Sequence, residues 1–161
     1  MKTAVVYYSM SGNTDYAAQR IAEDVPADLV RLEPVKAYPS KGFKKFVWGG
    51  KSALMAETPE LLPYDIDFDA YDRIVLGTPM WASTFAPPLR TFIRDHKEAL
   101  AQKRIAAFVC SSGGNADKTF AKLEEALGGV ALEAKLSLVD PKDKRKREDD
   151  TSLRNFCSVL G

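Results

Sequence analysis

The stretch at residues 3–25 reads TAVVYYSMSGNTDYAAQRIAEDV. Its first six residues are apolar and rich in β-branched and aromatic side chains, as in a strand buried on both faces. Its last part sets Ala18, Ile21, Ala22 and Val25 on one stripe of a helix. Between them, SMSGNT (9–14) crowds hydroxyls and backbone amides where a strand turns into a helix. Two readings of that turn stand side by side. Ser11, Asn13 or Thr14 could act as a plain N-cap. Equally, the turn could cradle an anion such as a phosphate. It contains no Lys or Arg, so backbone N–H groups, the hydroxyls of Ser9, Ser11 and Thr14, the Asn13 amide and the positive end of the helix would do the holding.

The same strand-then-helix pattern recurs. RIVLGT (73–78) and RIAAFVCS (104–111) are further near-continuous apolar runs, DLVRL (28–32) is a fainter one, and VALEAKLSLV (130–139) alternates as an edge strand does. Helical stripes follow at Leu89, Phe92 and Ile93, at Phe120, Leu123 and Leu127, and, near the C-terminus, at Leu153, Phe156, Cys157 and Leu160. Pro87 and Pro88 suit a first helical turn, and Gly128 and Gly129 a helix end. DPKDKRKREDD (140–150) reads as a solvated loop before the last helix. The pattern predicts an α/β three-layer sandwich: a five-stranded parallel sheet of order 2-1-3-4-5 with helices on both faces. Residues 1–161 are expected to form one domain, with an insertion at about 34–70 between strands 2 and 3. Within it KGFKKFVWGGKSALMAE predicts a helix carrying Phe43, Phe46, Val47, Leu54 and Met55, interrupted at Gly49 and Gly50, with irregular Pro-rich flanks, the whole lying over the surface as a flap.

Bulk properties exclude several classes. With 161 residues, 45% hydrophobic and 28% charged, the chain can bury a core without disulfides or metal. No apolar run approaches a membrane span, and the N-terminal residues lack a secretory signal, so a cytoplasmic protein is expected. Lys and Arg total 23 against 22 acids, which gives no field that argues for nucleic acid or membrane. Cys110 and Cys157, with a single His in the chain, suggest no metal site, and Cys110 reads as an inert buried thiol.

Ligands of such sheets bind at the carboxyl ends of the strands. Three loops would converge there: SMSGNT, TPMWASTFAPP (78–88) and SSGGNAD (111–117). The second offers Trp81, on which a flat ligand could stack, although a lone Trp equally caps a core. The third offers Ser111, Ser112, Gly113, Gly114 and Asn115, whose backbone could approach a ligand closely or form a generic turn. None supplies a catalytic dyad. His96 and Lys97 are expected to face solvent. A receiver domain would need paired acids where Ser9 and Met10 stand; a P-loop, a dinucleotide Gly motif and a Cys–Arg phosphatase loop are all absent.

Together, YYSMSGNTDYAA, YDRIVLGTPMWASTFAPPLRTFI and CSSGGNADKTFAKLEEAL resemble the flavodoxin family, which binds FMN, and the match runs in order over nearly the whole chain. The insertion resembles one in a bacterial branch of flavodoxin-like proteins. The resemblance implies that Ser9, Met10, Ser11, Gly12, Asn13 and Thr14 hold the FMN phosphate. It implies that Thr78, Pro79, Met80, Trp81, Ala82 and Ser111, Ser112, Gly113, Gly114, Asn115 line the ring and ribityl chain, with Trp81 stacking. No residue is assigned a catalytic or metal-binding role. Two departures stand out. Electron-carrying flavodoxins are strongly acidic and have a Gly-rich second loop, whereas this chain is near neutral and has Ala82, where a flip to positive φ costs roughly 1 kcal/mol or more. The third loop also lacks the usual second aromatic, Phe120 being nearest; Tyr38 or Trp48 could replace it. The implied function is electron transfer with a redox partner protein. The alternatives are an NAD(P)H-dependent reductase of quinones or other small acceptors, and a flavodoxin-shaped module that has lost its flavin.

Overall fold

Three strands, β1 (Thr3–Tyr7), β3 (Arg73–Trp81) and β5 (Arg104–Ser111), form the middle of a parallel sheet, and their apolar runs are buried on both sides. The computed structural model describes residues 1–39 and 42–161, without the side chains of residues 42–46. β2 (Ala27–Arg31) pairs with β1 at one edge, and β6 (Lys135–Val139) pairs with β5 at the other. The order is β2-β1-β3-β5-β6, with the two-residue β4 (Thr84–Phe85) turned back on β3. Without β4, this is the predicted 2-1-3-4-5 sheet.

Register explains the two cores. Val5 lies level with Val75 and Val75 with Ala106, so alternate residues of neighbouring strands share a face. Val5, Tyr7, Val75, Phe108 and Leu136 pack under α1 (Asn13–Asp24) and α5 (Arg147–Leu160), through Ala17, Ala18, Ile21, Leu153, Phe156 and Leu160. Ala4, Val6, Ile74, Leu76 and Val109 face the other way, under α3 (Pro87–Leu100) and α4 (Asp117–Ala126). There the cover is completed by Tyr38, Leu61, Tyr64, Ile66 and Phe68 from the long β2–β3 connection. That connection also contains α2 (Gly42–Leu54) and a 3-10 turn at Phe68–Ala70.

Several expectations hold and several are corrected. Pro87 and Pro88 open α3, and Gly128 and Gly129 take φ of 79° and 89° after α4. Phe43 and Phe46 have side chains outside the described residues, as does part of the flank at Ser40 and Lys41; Val47, Leu54 and Met55 are exposed. α2 runs unbroken through Gly49 and Gly50, because Gly49 is a packing contact and not a break: a Cβ there would lie 3.3 Å from the Trp81 ring. β3 continues past Thr78 to Trp81, into what reads as a loop. β1 pairs no further than Gly77, so Pro79 can interrupt one ladder at most, and the strand then closes a hairpin with Met80 opposite Phe85. β6 starts at Lys135, not Val130; the Leu132 amide bonds the Glu124 carboxylate at 3.1 Å instead of a strand. α5 starts at Arg147, inside the charged run. Glu148, Asp149 and Asp150 stand in its first turn, where acids favour the helix dipole, and Asp149 accepts from the Lys146 amide at 3.2 Å.

Candidate functional site

The loop after β1 answers the choice between cap and cradle in an unexpected way. The N-cap of α1 is Gly12, at φ 98°, and among the described residues no side chain caps the first-turn amides. Neither Ser11, Asn13 nor Thr14 caps the helix. The amides at its positive end are therefore left for something else. Ser9 is 3% exposed, and among the described residues its hydroxyl has no hydrogen-bond partner. The Ser9 carbonyl is held from behind by Arg31 at 3.2 Å, and Arg31 in turn pairs with Asp15 and Glu33. Tyr7 donates to Asp15 at 2.5 Å, and burial followed by that carboxylate keeps its phenol well above the usual tyrosine range.

A cleft of about 200 Å³ opens beside this turn. From the first loop Met10, Ser11, Asn13 and Thr14 line it; from the second, Pro79, Met80, Trp81 and Ala82; from the third, Ser111 and Ser112. The remaining predicted residues stand apart from this lining. Ser9 and Gly12 shape the turn. Thr78 is fully buried, its hydroxyl accepting from the Ala86 amide at 2.9 Å and so tying α3 to β3. Gly113 and Gly114, at φ 145° and 91°, and Asn115 lie outside the lining, and Asn115 accepts from the Asp117 amide at 2.7 Å.

Trp81 stands in an aromatic corner. Tyr8 and Tyr38 meet its ring nearly edge-on, with centroids 5.7 and 5.2 Å away, and Tyr38 bonds Ser52 of α2 at 3.0 Å. Gly49 lies against the Trp81 ring, so α2 forms part of the wall. Phe120 is buried in the core beneath α4, and Trp48 is 54% exposed beside Lys51; neither lines the cleft. Ala82 and Ser83 close the β3–β4 hairpin at φ 51° and 60°. The positive φ that Ala82 is expected to resist is its resting conformation, because a two-residue hairpin turn demands it of both residues.

The sequence pattern misses the loop between β6 and α5. Asp140 and Asp143 line the cleft, and the Lys142 ammonium sits 3.0 Å from where a Cβ on Gly12 would be. Asn13 is clasped by the same loop: it accepts from the Lys142 amide at 2.9 Å and donates to Asp143 at 3.3 Å. One signal could have revealed this, since β6 is parallel to its neighbours and its following loop must reach the same sheet edge. Cys110 also reaches the cleft floor; burial pushes its thiol up to about 12, with the Thr14 hydroxyl pulling the other way. His96 is not solvent-facing. It accepts or donates at 2.7 Å with the Tyr64 hydroxyl and packs on Phe92, because the β2–β3 connection covers that side of α3. Lys97 is exposed. Among the described residues no group of His, Cys, Asp or Glu is arranged to hold a metal, and no helix is long and apolar enough to cross a membrane.

An open parallel sheet with an uncapped helix terminus and an aromatic cleft at its carboxyl edge defines a class of phosphoryl-ligand proteins. Within it, the chain belongs to the flavodoxin family: the family model described as Flavodoxin matches residues 2–146. Among solved structures it is similar to a flavoprotein from Lactobacillus acidophilus NCFM in complex with FMN, at 22% identity over 96% of this chain and 97% of the other, with a TM-score of 0.76. The apo form of the flavoprotein from that organism gives 24% identity, 91% and 97% coverage and a TM-score of 0.66. Two-electron reduced flavodoxin from Megasphaera elsdenii gives 16%, 99% of each chain and 0.57. At these identities the likenesses establish the fold. No curated protein matches the chain.

Proposed function

We propose that the cleft binds FMN and that the protein carries electrons to or from a redox partner protein. The observation that carries this reading is the α1 terminus: Gly12 at positive φ, first-turn amides without a side-chain cap, and the buried Ser9 hydroxyl without a partner. These donors fit a phosphate, and Lys142 adds a cation that the first loop itself lacks. Asn13 has its amide engaged by the β6–α5 loop, so its part is to anchor that loop over the phosphate. The FMN bound to the Lactobacillus acidophilus flavoprotein supports the choice of ligand.

FMN, when bound, supplies the redox chemistry. The chain binds and orients it. Trp81, braced by Gly49, Tyr8 and Tyr38, presents an apolar wall to a flat ring, and Pro79 to Ala82 present backbone to its edge. Asp140 and Asp143 place negative charge in the cleft, which disfavours added electron density nearby. The Cys110 thiol, held protonated at neutral pH, contributes no nucleophile. Carrying electrons needs nothing further from the chain, whereas a reductase would also need a seat for its donor. The test is turnover: FMN-loaded protein given NADPH and a quinone should oxidise NADPH no faster than free FMN does. Saturable turnover at about 1 per second or more would replace the carrier by a reductase.

A further inference from the structure

A second open cleft, of about 400 Å³, lies behind the β3–β4 hairpin, between that hairpin, the end of α2, and α3 and α4. Thr84 lines it from β4, Arg90 and Lys97 from α3, and Lys122 and Glu125 from α4. Three cations therefore face one carboxylate. Among the described residues none of the three cations has an ion-pair partner. Arg90 is held in place with its guanidinium 4.2 Å from the centre of the buried Phe85 ring, and burial keeps it below the usual arginine range, with Glu125 opposing weakly. The Lys97 chain rests on Gly128, its Cε 3.1 Å from where a Cβ would stand. Thr84 is 2% exposed, and among the described residues its hydroxyl has no hydrogen-bond partner.

A half-buried cation without a counter-ion and a buried hydroxyl without a partner are both costly, and one anion would satisfy them together. We propose that this cleft binds a phosphate-bearing small molecule. Three cations less one carboxylate leave a net charge of about +2, which matches the −1.5 to −2 of a phosphate monoester at neutral pH. Arg90 offers a planar fork for two oxygens, the lysines act as point charges, and Thr84 donates to the remaining oxygen. Thr84 pairs with Trp81 across the hairpin, so the two clefts share one wall.

The test is titration of the full chain with inorganic phosphate, followed by amide resonances in ¹H–¹⁵N spectra, against sodium chloride at matched ionic strength. Saturating shifts at Thr84, Arg90 and Lys122, absent in chloride and weakened about tenfold by R90Q combined with K122Q, are expected. T84V should weaken binding several-fold while leaving the other resonances in place. No shift, shifts confined to residues 11–14, equal shifts in chloride, or shifts indifferent to R90Q and K122Q would each overturn the proposal. A protein that fails to bind FMN leaves these readouts unaffected, so the two proposals stand or fall separately.

Discussion

The two faces of the sheet are covered by different means. Under α1 and α5 the cover is purely helical and tightly fitted: Gly77 has no side chain because the Phe108 ring occupies its place, a Cβ there falling 2.2 Å from the ring. Under α3 and α4 the cover includes an irregular segment held by scattered contacts. The Thr91 hydroxyl donates to the Pro59 carbonyl at 2.7 Å, Pro34 and Leu61 form an isolated bridge, and Tyr64, Phe68 and His96 cluster on Phe92. Each face is therefore vulnerable in its own way. Helix-on-sheet packing concentrates its tolerance in single atoms, whereas an aromatic strap spreads it over many partial contacts.

The largest expected effect comes on the fitted face. Gly77→Ala should destabilise by about 3 kcal/mol or more, since the clash is with a fully buried ring, and Phe108→Leu in the same chain should recover part of the loss. Urea midpoints of the single and double variants measure this. Equal damage from Phe68→Leu would erase the contrast between the faces.

Next comes the clasp that ties α5 to the sheet. Arg73 is 2% exposed, pairs with Glu133 and donates to the Leu160 carbonyl at 2.5 Å, while Arg104 holds the other carboxylate oxygen at 2.6 Å. Arg73→Met removes one partner of a buried pair and a cation from a helix C-terminus, for a loss of about 3 kcal/mol in the same measurement.

A smaller effect marks the strapped face. Burial lowers the His96 pKa from its ordinary 6.5, with Asp95 opposing. The unfolded chain therefore takes up a proton that the folded ring resists. The His96 contribution is present above pH 6.5 and is lost as pH falls through the lower folded value. His96→Leu should flatten this part of the stability profile. A profile with the same slope in both proteins would contradict the placement of His96 against Tyr64.

The smallest effect is a gain. Ala56 ends α2 at φ 51°, with its amide bonded to the Ala53 carbonyl at 3.1 Å and the Glu57 amide to that of Ser52 at 3.2 Å. This is a helix stop that favours Gly, so Ala56→Gly should stabilise by about 0.5–1 kcal/mol, seen as a raised melting temperature.

The contrast also explains what could be read from the residues. β1, β3 and β5 are legible because strands buried on both faces carry continuous apolar runs, and Leu153, Phe156, Cys157 and Leu160 all fall on the buried side of α5. Their periods are set by local geometry alone. The start of α5 is hidden because acids that serve a helix terminus resemble a solvated charge run. The β3–β4 hairpin is hidden because Ala82 and Ser83 stand where Asn or Gly would announce it. Gly49 resembles a break in α2 because the need for close approach comes from Trp81, a residue distant in sequence. In the cleft, Ser11, Asn13 and Thr14 are legible from strand-to-helix chemistry, and Met10 only through the family resemblance. Lys142, Asp140 and Asp143 are missed because their run reads as a solvated charge cluster, although the parallel order brings their loop to that edge.

An FMN fluorescence titration of the purified chain tests whether the donors around Gly12 cradle the FMN phosphate. Quenching that saturates at one FMN per chain, with a Kd below about 1 μM, and that Ser11→Glu weakens at least a hundredfold by setting a carboxylate beside the phosphate, is the predicted result. FMN fluorescence unchanged at tens of micromolar protein, or quenching indifferent to Ser11→Glu, would contradict it.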